Sequence, residues 1–207
     1  MGILNFFSRK RDAGSTGGEG FTPPAGPQAE APPVDYSALV PMGAIISNND
    51  PQVAVDMELL AAGTDRFQEA HPEWCETMFP GGIPVGSEFP VVREIFTFWL
   101  AGYETPFEYG AYIDWKEATD EVVASLQGVL GTLGLPIDLG EVFFQGNEHT
   151  FDALVLIARF LSERDHALVV IDTESDSYHL YVVPEAAVDR LVALGASVGF
   201  AISTPAG

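Results

Sequence analysis

Apolar residues recur every three to four positions in five windows along the chain, which is the spacing that places them on one face of an α-helix. The apolar stripes of these windows begin at Val53, Val91, Val122, Phe151 and Val188. The pattern therefore predicts five amphipathic helices, and the second is apolar enough to lie at the centre of the core.

Capping residues suggest where several of these helices begin and end. Asp50–Pro51 is an N-cap followed by proline at the first helical position, and Gly63 is placed to end that helix. Asp114 and Glu117 have the spacing of a capping box, so we expect Asp114 to cap the third helix. Gly195 is expected to end the fifth helix.

Strand patterns concentrate near the C-terminus. Residues 167–171 form a short apolar run, residues 178–183 are rich in Tyr and Val, and the polar residues 172–177 separate them as in a hairpin. Residues 199–203 predict a third strand, and residues 111–113 are a candidate fourth. The sequence therefore predicts an α+β fold, mainly helical, with a small and mostly antiparallel sheet formed by the C-terminal half.

The composition divides the 207 residues into two parts. Residues 12–33 are dominated by Gly, Pro, Ala, Ser and Thr, which bury too little surface to offset the entropy of ordering. We therefore predict a disordered N-terminal tail and linker over residues 1–34 and a single acidic α+β domain over residues 35–207. The tail carries three basic and three acidic residues, so the formal net charge of -21 belongs to the domain.

This charge excludes one class of partner and favours another. A phosphate backbone is bound by clustered Lys and Arg, and the chain has nine such residues against 30 Asp and Glu, so we expect no nucleic acid partner. A basic protein is the partner that the charge favours. The only cysteine, Cys75, can form no internal disulfide, and no secretory signal is apparent, so we expect a cytoplasmic protein.

The polar residues of the predicted hairpin could bind a cation. Asp172, Glu174 and Asp176 alternate like the first ligands of a calcium loop. However, Ser177 stands where such a loop needs glycine, and Val183 stands where it needs a bidentate glutamate. We favour a hairpin turn closed by bonds from side chains to the backbone, while a divalent-cation or small-ligand site stays open as the alternative.

The segment around Trp115 is the second motif. Asp114 is expected to cap a helix, Trp115 to pack beneath it, and Lys116 to offset part of the acidic charge. Lys116 is one of only two lysines in the chain. We favour this structural interpretation over a binding role.

The sequence provides little support for catalysis. His71 and Cys75 are four residues apart, but Pro72 disfavours helical backbone at His71, and neighbouring glutamates would raise the thiol pKa. We expect Cys75 to be semi-buried beside Trp74, and His179 to point at solvent from its strand. No zinc, hydrolase, nucleotide or dinucleotide motif is present, so we predict no catalytic residue, metal or cofactor.

Three segments taken together resemble a bacterial domain family of unknown function. They are the Asp-Trp-Lys-Glu sequence at 114–117, the helix that follows from Phe151, and the hairpin of residues 170–178. The similarity covers roughly residues 110–203. It implies a small cytoplasmic α+β protein, assigns no catalytic residue, and suggests that the 114–117 segment and the hairpin turn lie close together in the fold.

Three functions remain as hypotheses. The first is a non-enzymatic interaction module whose acidic face binds a basic partner, for example an inhibitor or immunity protein. The second is binding of a divalent metal or small ligand at the hairpin. The third is a peripheral membrane scaffold tethered through residues 1–11, where apolar residues precede three basic ones. The candidate binding residues are Asp114, Trp115, Asp172, Glu174, Asp176, Ser177 and Tyr178.

Overall fold

The computed structural model describes residues 34–83 and 88–205. Within these residues the chain forms eight α-helices and a four-stranded sheet. In chain order the elements are α1 (Leu39–Ile46), α2 (Pro51–Ala62), α3 (Thr64–Ala70), α4 (Pro72–Met78), α5 (Glu88–Leu100), β1 (Gly110–Asp114), α6 (Thr119–Thr132), α7 (Thr150–Ser162), β2 (His166–Asp172), β3 (Ser177–Pro184), α8 (Val188–Ser197) and β4 (Ala201–Ser203). The predicted α+β class, mainly helical with a small sheet, is confirmed.

The sheet has the strand order β1-β3-β2-β4, and all of its neighbouring strands are antiparallel. β2 and β3 form the predicted hairpin. β1 pairs with the other edge of β3 in a register that sets Asp114 opposite Ser177. This pairing joins two segments that are distant in sequence, and it places the end of β1 beside the hairpin turn.

Side chains alternate across β3 and contribute to two separate cores. Tyr181 and Val183 join a large core on one face of the sheet, together with apolar residues of α1, α2, α5 and α8. Leu180 and Val182 join a second core on the opposite face, built mainly with α6 and α7. The sheet is therefore the middle layer of three, and its central strands are buried on both faces.

The predicted boundaries of α2 are confirmed. The Asp50 carboxylate accepts hydrogen bonds from the backbone N–H groups of Gln52 (2.7 Å) and Val53 (3.4 Å), and Pro51 is the first helical residue. Gly63 follows the helix with a φ of 138°, a backbone conformation that favours glycine. Local sequence signals set both ends of this helix.

The prediction that Gly195 ends the fifth helix is wrong. α8 continues to Ser197, and Gly195 is buried within it. A Cβ atom at Gly195 would lie 2.5 Å from Cδ1 of Ile202 in β4. The glycine is needed for the close approach of α8 to β4, and it does not terminate the helix.

The buried face of the helix that begins near Phe151 is rotated about the helix axis from the apolar face predicted for it. Phe151 is 45% exposed, while Ala153, Leu154 and Ile157 are buried. α7 begins one residue earlier, at Thr150, which is itself buried. Anchoring of Thr150 in the interior turns the next residue outward.

The prediction that His179 points at solvent is also wrong, because α5 covers this face of β3. The imidazole is 1% exposed and packs between Phe98 and Tyr112, with ring centroids 4.8 and 5.3 Å away. Its Nδ1 atom has no hydrogen-bond partner among the described residues. Burial, together with the charge of Arg93, lowers the pKa of His179 to about 4.

Candidate functional site

The 114–117 segment is a turn between a strand and a helix, and Asp114 does not cap the helix as predicted. β1 runs to Asp114, while α6 begins at Thr119 after Ala118, which makes no side-chain capping bond. The Asp114 carboxylate instead accepts a hydrogen bond from the backbone N–H of Lys116 at 2.9 Å. Pairing of β1 with β3 keeps Asp114 in the strand, so its carboxylate closes the turn that follows.

Trp115 does not pack beneath a helix as predicted, because its side chain is 50% exposed. Its backbone N–H donates to the carbonyl oxygen of Asp176 at 3.3 Å, which ties the turn to the hairpin. The Lys116 Nζ atom lies 4.3 Å from the centroid of the Trp115 ring. The 114–117 turn and the hairpin therefore lie close together, as the family resemblance suggested.

Thr150 fixes the same turn from the opposite side. Its buried hydroxyl oxygen lies 2.7 Å from the carbonyl oxygen of Trp115 and 3.0 Å from that of Glu117, and its proton is shared between them. The next residue, Phe151, packs against Tyr178 at the start of β3, with ring centroids 6.5 Å apart. Thr150 thus ties the start of α7 to the turn, and Phe151 ties it to the start of β3.

Three aromatic side chains from these segments, Trp115, Phe151 and Tyr178, form what we call the aromatic surface. Trp115 and Phe151 are about half exposed, and Tyr178 is partly buried. Each aromatic residue is within two positions of an exposed carboxylate in the sequence. These carboxylates belong to Asp114, Asp152 and Asp176.

A shallow groove continues from Phe151 along α7. It has a volume near 390 Å³ and is lined by Glu148, Phe151, Asp152 and Val155, among others. The Glu148 carboxylate accepts hydrogen bonds from the backbone N–H groups of Gln145 and Gly146. These bonds, that of Gln145 above all, hold the pKa of Glu148 below its ordinary value, so the groove carries a fixed negative charge at neutral pH.

The polar side chains of the hairpin turn form hydrogen bonds within the turn. The Asp172 carboxylate accepts the backbone N–H of Glu174 at 2.7 Å, and Glu174 has a φ of 58°. The hydroxyl oxygens of Thr173, Ser175 and Ser177 follow one another at 2.8 and 2.7 Å. This geometry is that of the hairpin turn favoured from the sequence.

The hairpin is also attached to α5. Arg93 donates from Nη2 to the carbonyl oxygen of Thr173 at 3.2 Å and forms an ion pair with Glu174 at 3.4 Å. In the parts of the chain that the structure describes, no three His, Cys, Asp or Glu side chains are grouped so that they could hold a metal ion. The metal-site hypothesis for Asp172, Glu174 and Asp176 stays a prediction.

A comparison with known protein families finds a match for the chain. Residues 38–206 match a family described as a domain of unknown function, DUF6630. The chain belongs to this family. The DUF6630 match covers far more than the roughly 110–203 over which the sequence motifs suggested a resemblance. No curated protein and no solved structure matches the chain significantly.

Cys75 of this DUF6630 domain is not poised for chemistry. The thiol is 2% exposed, and burial raises its pKa to about 11, so it stays protonated at neutral pH. It is buried more fully than the semi-buried position predicted. His71 precedes α4 and does not share a helix face with Cys75; its Nε2 atom lies 3.2 Å from the Asp56 carboxylate.

A buried polar network surrounds Asp56, and it was not predicted from the sequence. This carboxylate is 1% exposed and accepts hydrogen bonds from Gln52 at 3.1 Å and from the Trp99 indole N–H at 3.1 Å, in addition to the contact with His71. The available signal was its position, because Asp56 falls on the same helix face as Val53 and Leu60. Both carboxylate oxygens have partners, so the network links α2 to α5 and belongs to the core.

The remaining predictions are the disorder of the N-terminal tail and its use as a membrane tether. In the ranges 34–83 and 88–205, no helix has the length and apolar character needed to cross a membrane. The predicted disorder of residues 1–34 and the proposed tether at residues 1–11 concern a part of the chain that, up to residue 33, lies outside the described residues.

Proposed function

We propose that this DUF6630 protein is an acidic interaction module that binds a basic segment of a partner protein on the aromatic surface. The observation that carries the proposal is that the three segments bearing Trp115, Phe151 and Tyr178 are held together, with exposed carboxylates beside them. Phe151 packs on Tyr178, and the Trp115 backbone bonds to Asp176 and Thr150. Exposed aromatic side chains surrounded by charge are typical of binding sites, because they supply large contact areas with little loss of side-chain entropy.

The charge of the domain supports a basic partner. Residues 35–207 contain six basic and 27 acidic residues, so most carboxylates can have no basic partner within the domain. Such an excess creates a negative potential that attracts cationic molecules and speeds their association. The aromatic surface would then provide the short-range contacts that a diffuse field lacks.

The proposal describes a non-enzymatic protein of the bacterial cytoplasm. The residues best suited to chemistry serve the fold, since Cys75 is buried and protonated and Asp56 is fully hydrogen-bonded within the core. An inhibitor or immunity protein for a cationic toxin would use such a surface. A reducing compartment suits the single free cysteine.

Affinity capture with matched variants tests the proposal. The full chain, a Trp115→Ala/Phe151→Ala variant and a Tyr103→Ala control would be immobilised and exposed to lysate at low and high ionic strength. Tyr103 is a suitable control, because it is 48% exposed, against 50% for Trp115, and it packs against Phe98 on the opposite face of the sheet. We expect a basic protein that is retained at low salt by the full chain and the control, and lost from the double variant.

The captured protein must then bind directly in purified form, with the same order of affinities, measured by isothermal titration calorimetry. The melting temperature of each variant shows that the fold is intact. If no basic protein distinguishes the double variant from the Tyr103→Ala control, the aromatic surface is not the binding site and the proposal is wrong.

A further inference from the structure

We infer that the exposed face of the Trp115 ring is a subsite for a guanidinium group of the partner, and that Lys116 occupies this subsite in the free protein. The inference rests on the proposed function and adds the chemistry of recognition. It makes Lys116 a competitor that the partner displaces.

Lys116 and Trp115 form a cation–π contact. Lys116 Nζ lies 4.3 Å from the centre of the Trp115 ring, within the range of about 6 Å over which a cation is attracted to an aromatic face. Tryptophan is the aromatic side chain that attracts cations most strongly. The Trp115 face is therefore already a cation site, filled by the neighbouring residue in the chain.

The placement of the two residues carries the second step. Lys116 is the only lysine or arginine between Arg93 and Arg159, and Trp115 is the one exposed tryptophan, since Trp74 and Trp99 are 7% and 5% exposed. The turn sets them side by side, because the Asp114 carboxylate accepts the backbone N–H of Lys116. Lys116, the one lysine or arginine of a long acidic stretch, thus lies over the ring of the one exposed tryptophan, Trp115.

The contact is weak enough to be displaced. Lys116 is exposed, and an ammonium group keeps much of its hydration beside an aromatic ring at the surface. A guanidinium group is planar and more weakly hydrated, so it can stack on the ring while its N–H groups donate to carboxylates. The exposed side chains of Asp114 and Asp176 are the candidate carboxylates. Asp114 directly precedes Trp115 in the chain, and the backbone carbonyl of Asp176 accepts the Trp115 backbone N–H.

A double-mutant cycle tests the inference with acetylated octa-arginine as the probe. Its dissociation constant would be measured calorimetrically at low ionic strength for the full chain, Lys116→Ala, Trp115→Leu and the Lys116→Ala/Trp115→Leu double variant. Removal of Lys116 makes the domain more negative, so some gain in affinity is expected from charge alone. The cycle separates this gain from competition, because competition requires the indole.

We expect Lys116→Ala to raise affinity about two- to fivefold more when Trp115 is present than in the Trp115→Leu background. An equal gain in both backgrounds would mean that Lys116 acts only through its charge, and would overturn the inference. Both side chains are exposed, so the fold should tolerate both substitutions, which thermal melting would verify.

The cycle also separates this inference from the proposed function. If Trp115→Leu weakens octa-arginine binding but the two gains are equal, the aromatic surface binds cations and only the role of Lys116 is wrong. If Trp115→Leu leaves the affinity unchanged, Trp115 does not contribute to binding, and both the inference and the proposed use of the aromatic surface fail.

Discussion

Substitution of Asp56 by alanine should destabilise the domain more than any surface substitution on the same helix. The Asp56 carboxylate is buried and accepts hydrogen bonds from Gln52, His71 and Trp99. Asp56→Ala leaves these three donors without their acceptor. Their exposure decides the cost, because a donor that reaches water recovers a hydrogen bond.

The magnitude follows from the environment of each donor. Gln52 is exposed, and the His71 side chain is 20% exposed, so both can be rehydrated at small cost. The Trp99 indole N–H bond is buried, and an orphaned buried donor costs about 1–3 kcal/mol. The space left by the carboxylate and the lost charge-assisted bonds bring the expected loss to roughly 3 kcal/mol.

Urea unfolding followed by circular dichroism measures this loss as a change in the free energy of unfolding. Glu58→Ala is the matched control, because Glu58 is an exposed acid on the same helix and its removal should cost within about 0.5 kcal/mol. A cycle with Trp99→Phe should show coupling between the two sites. An Asp56→Ala variant no less stable than Glu58→Ala would refute the role assigned to the network.

Further predictions concern pH, packing and metal ions. The pKa of His179 is about 4 in the folded state against 6.5 in the unfolded chain, so the unfolded state binds the proton first as pH falls. The free energy of unfolding should therefore decrease from about pH 6.5 to about pH 4, by up to roughly 3 kcal/mol. His179→Phe should remove that part of the pH dependence in urea titrations at several pH values, and an unchanged slope would contradict the assignment. Gly195→Ala should destabilise the domain by about 1–2 kcal/mol, because the added Cβ would clash with Ile202. Gly128→Ala meets open space in α6 and should stabilise the domain by about 0.5–1 kcal/mol. Equal melting temperatures for the two variants would show the packing argument to be wrong. If the hairpin binds divalent ions, then calcium, magnesium or manganese should raise the melting temperature and Asp172→Ala should abolish the rise, whereas identical melting curves with metal and chelator would remove that hypothesis.

The fold could be predicted from the sequence wherever the signal is local. The capping of α2 by Asp50 and its termination before Gly63 depend on neighbouring residues, and the structure has both. The hairpin is also local, because two apolar runs separated by polar residues leave few other arrangements.

The errors arise where a distant segment decides the conformation. Asp114 stays in β1 because it pairs with Ser177, so the capping-box spacing to Glu117 produces a turn and no helix. His179 is buried because α5 covers the outer face of β3, which alternation along one strand cannot reveal. Such pairings are absent from any local pattern.

The candidate site was predicted in part. The sequence singled out Trp115 and Tyr178, and the family resemblance suggested that their segments lie together, which the hydrogen bond from Trp115 to Asp176 shows. Phe151 was predicted to be a core residue. Its outward position depends on the buried hydroxyl of Thr150, whose acceptors lie in the 115–117 turn and are not evident from helical periodicity.

The most direct test of the account is a nuclear magnetic resonance titration of the isotope-labelled full chain with octa-arginine. We expect the largest shifts at the Trp115 indole N–H and at the backbone amides of Phe151 and Tyr178, with smaller changes over the rest of the acidic domain. Shifts of equal size at all carboxylate-bearing segments, or a maximum away from these three residues, would show that the protein attracts cations through its charge alone and would contradict the central claim.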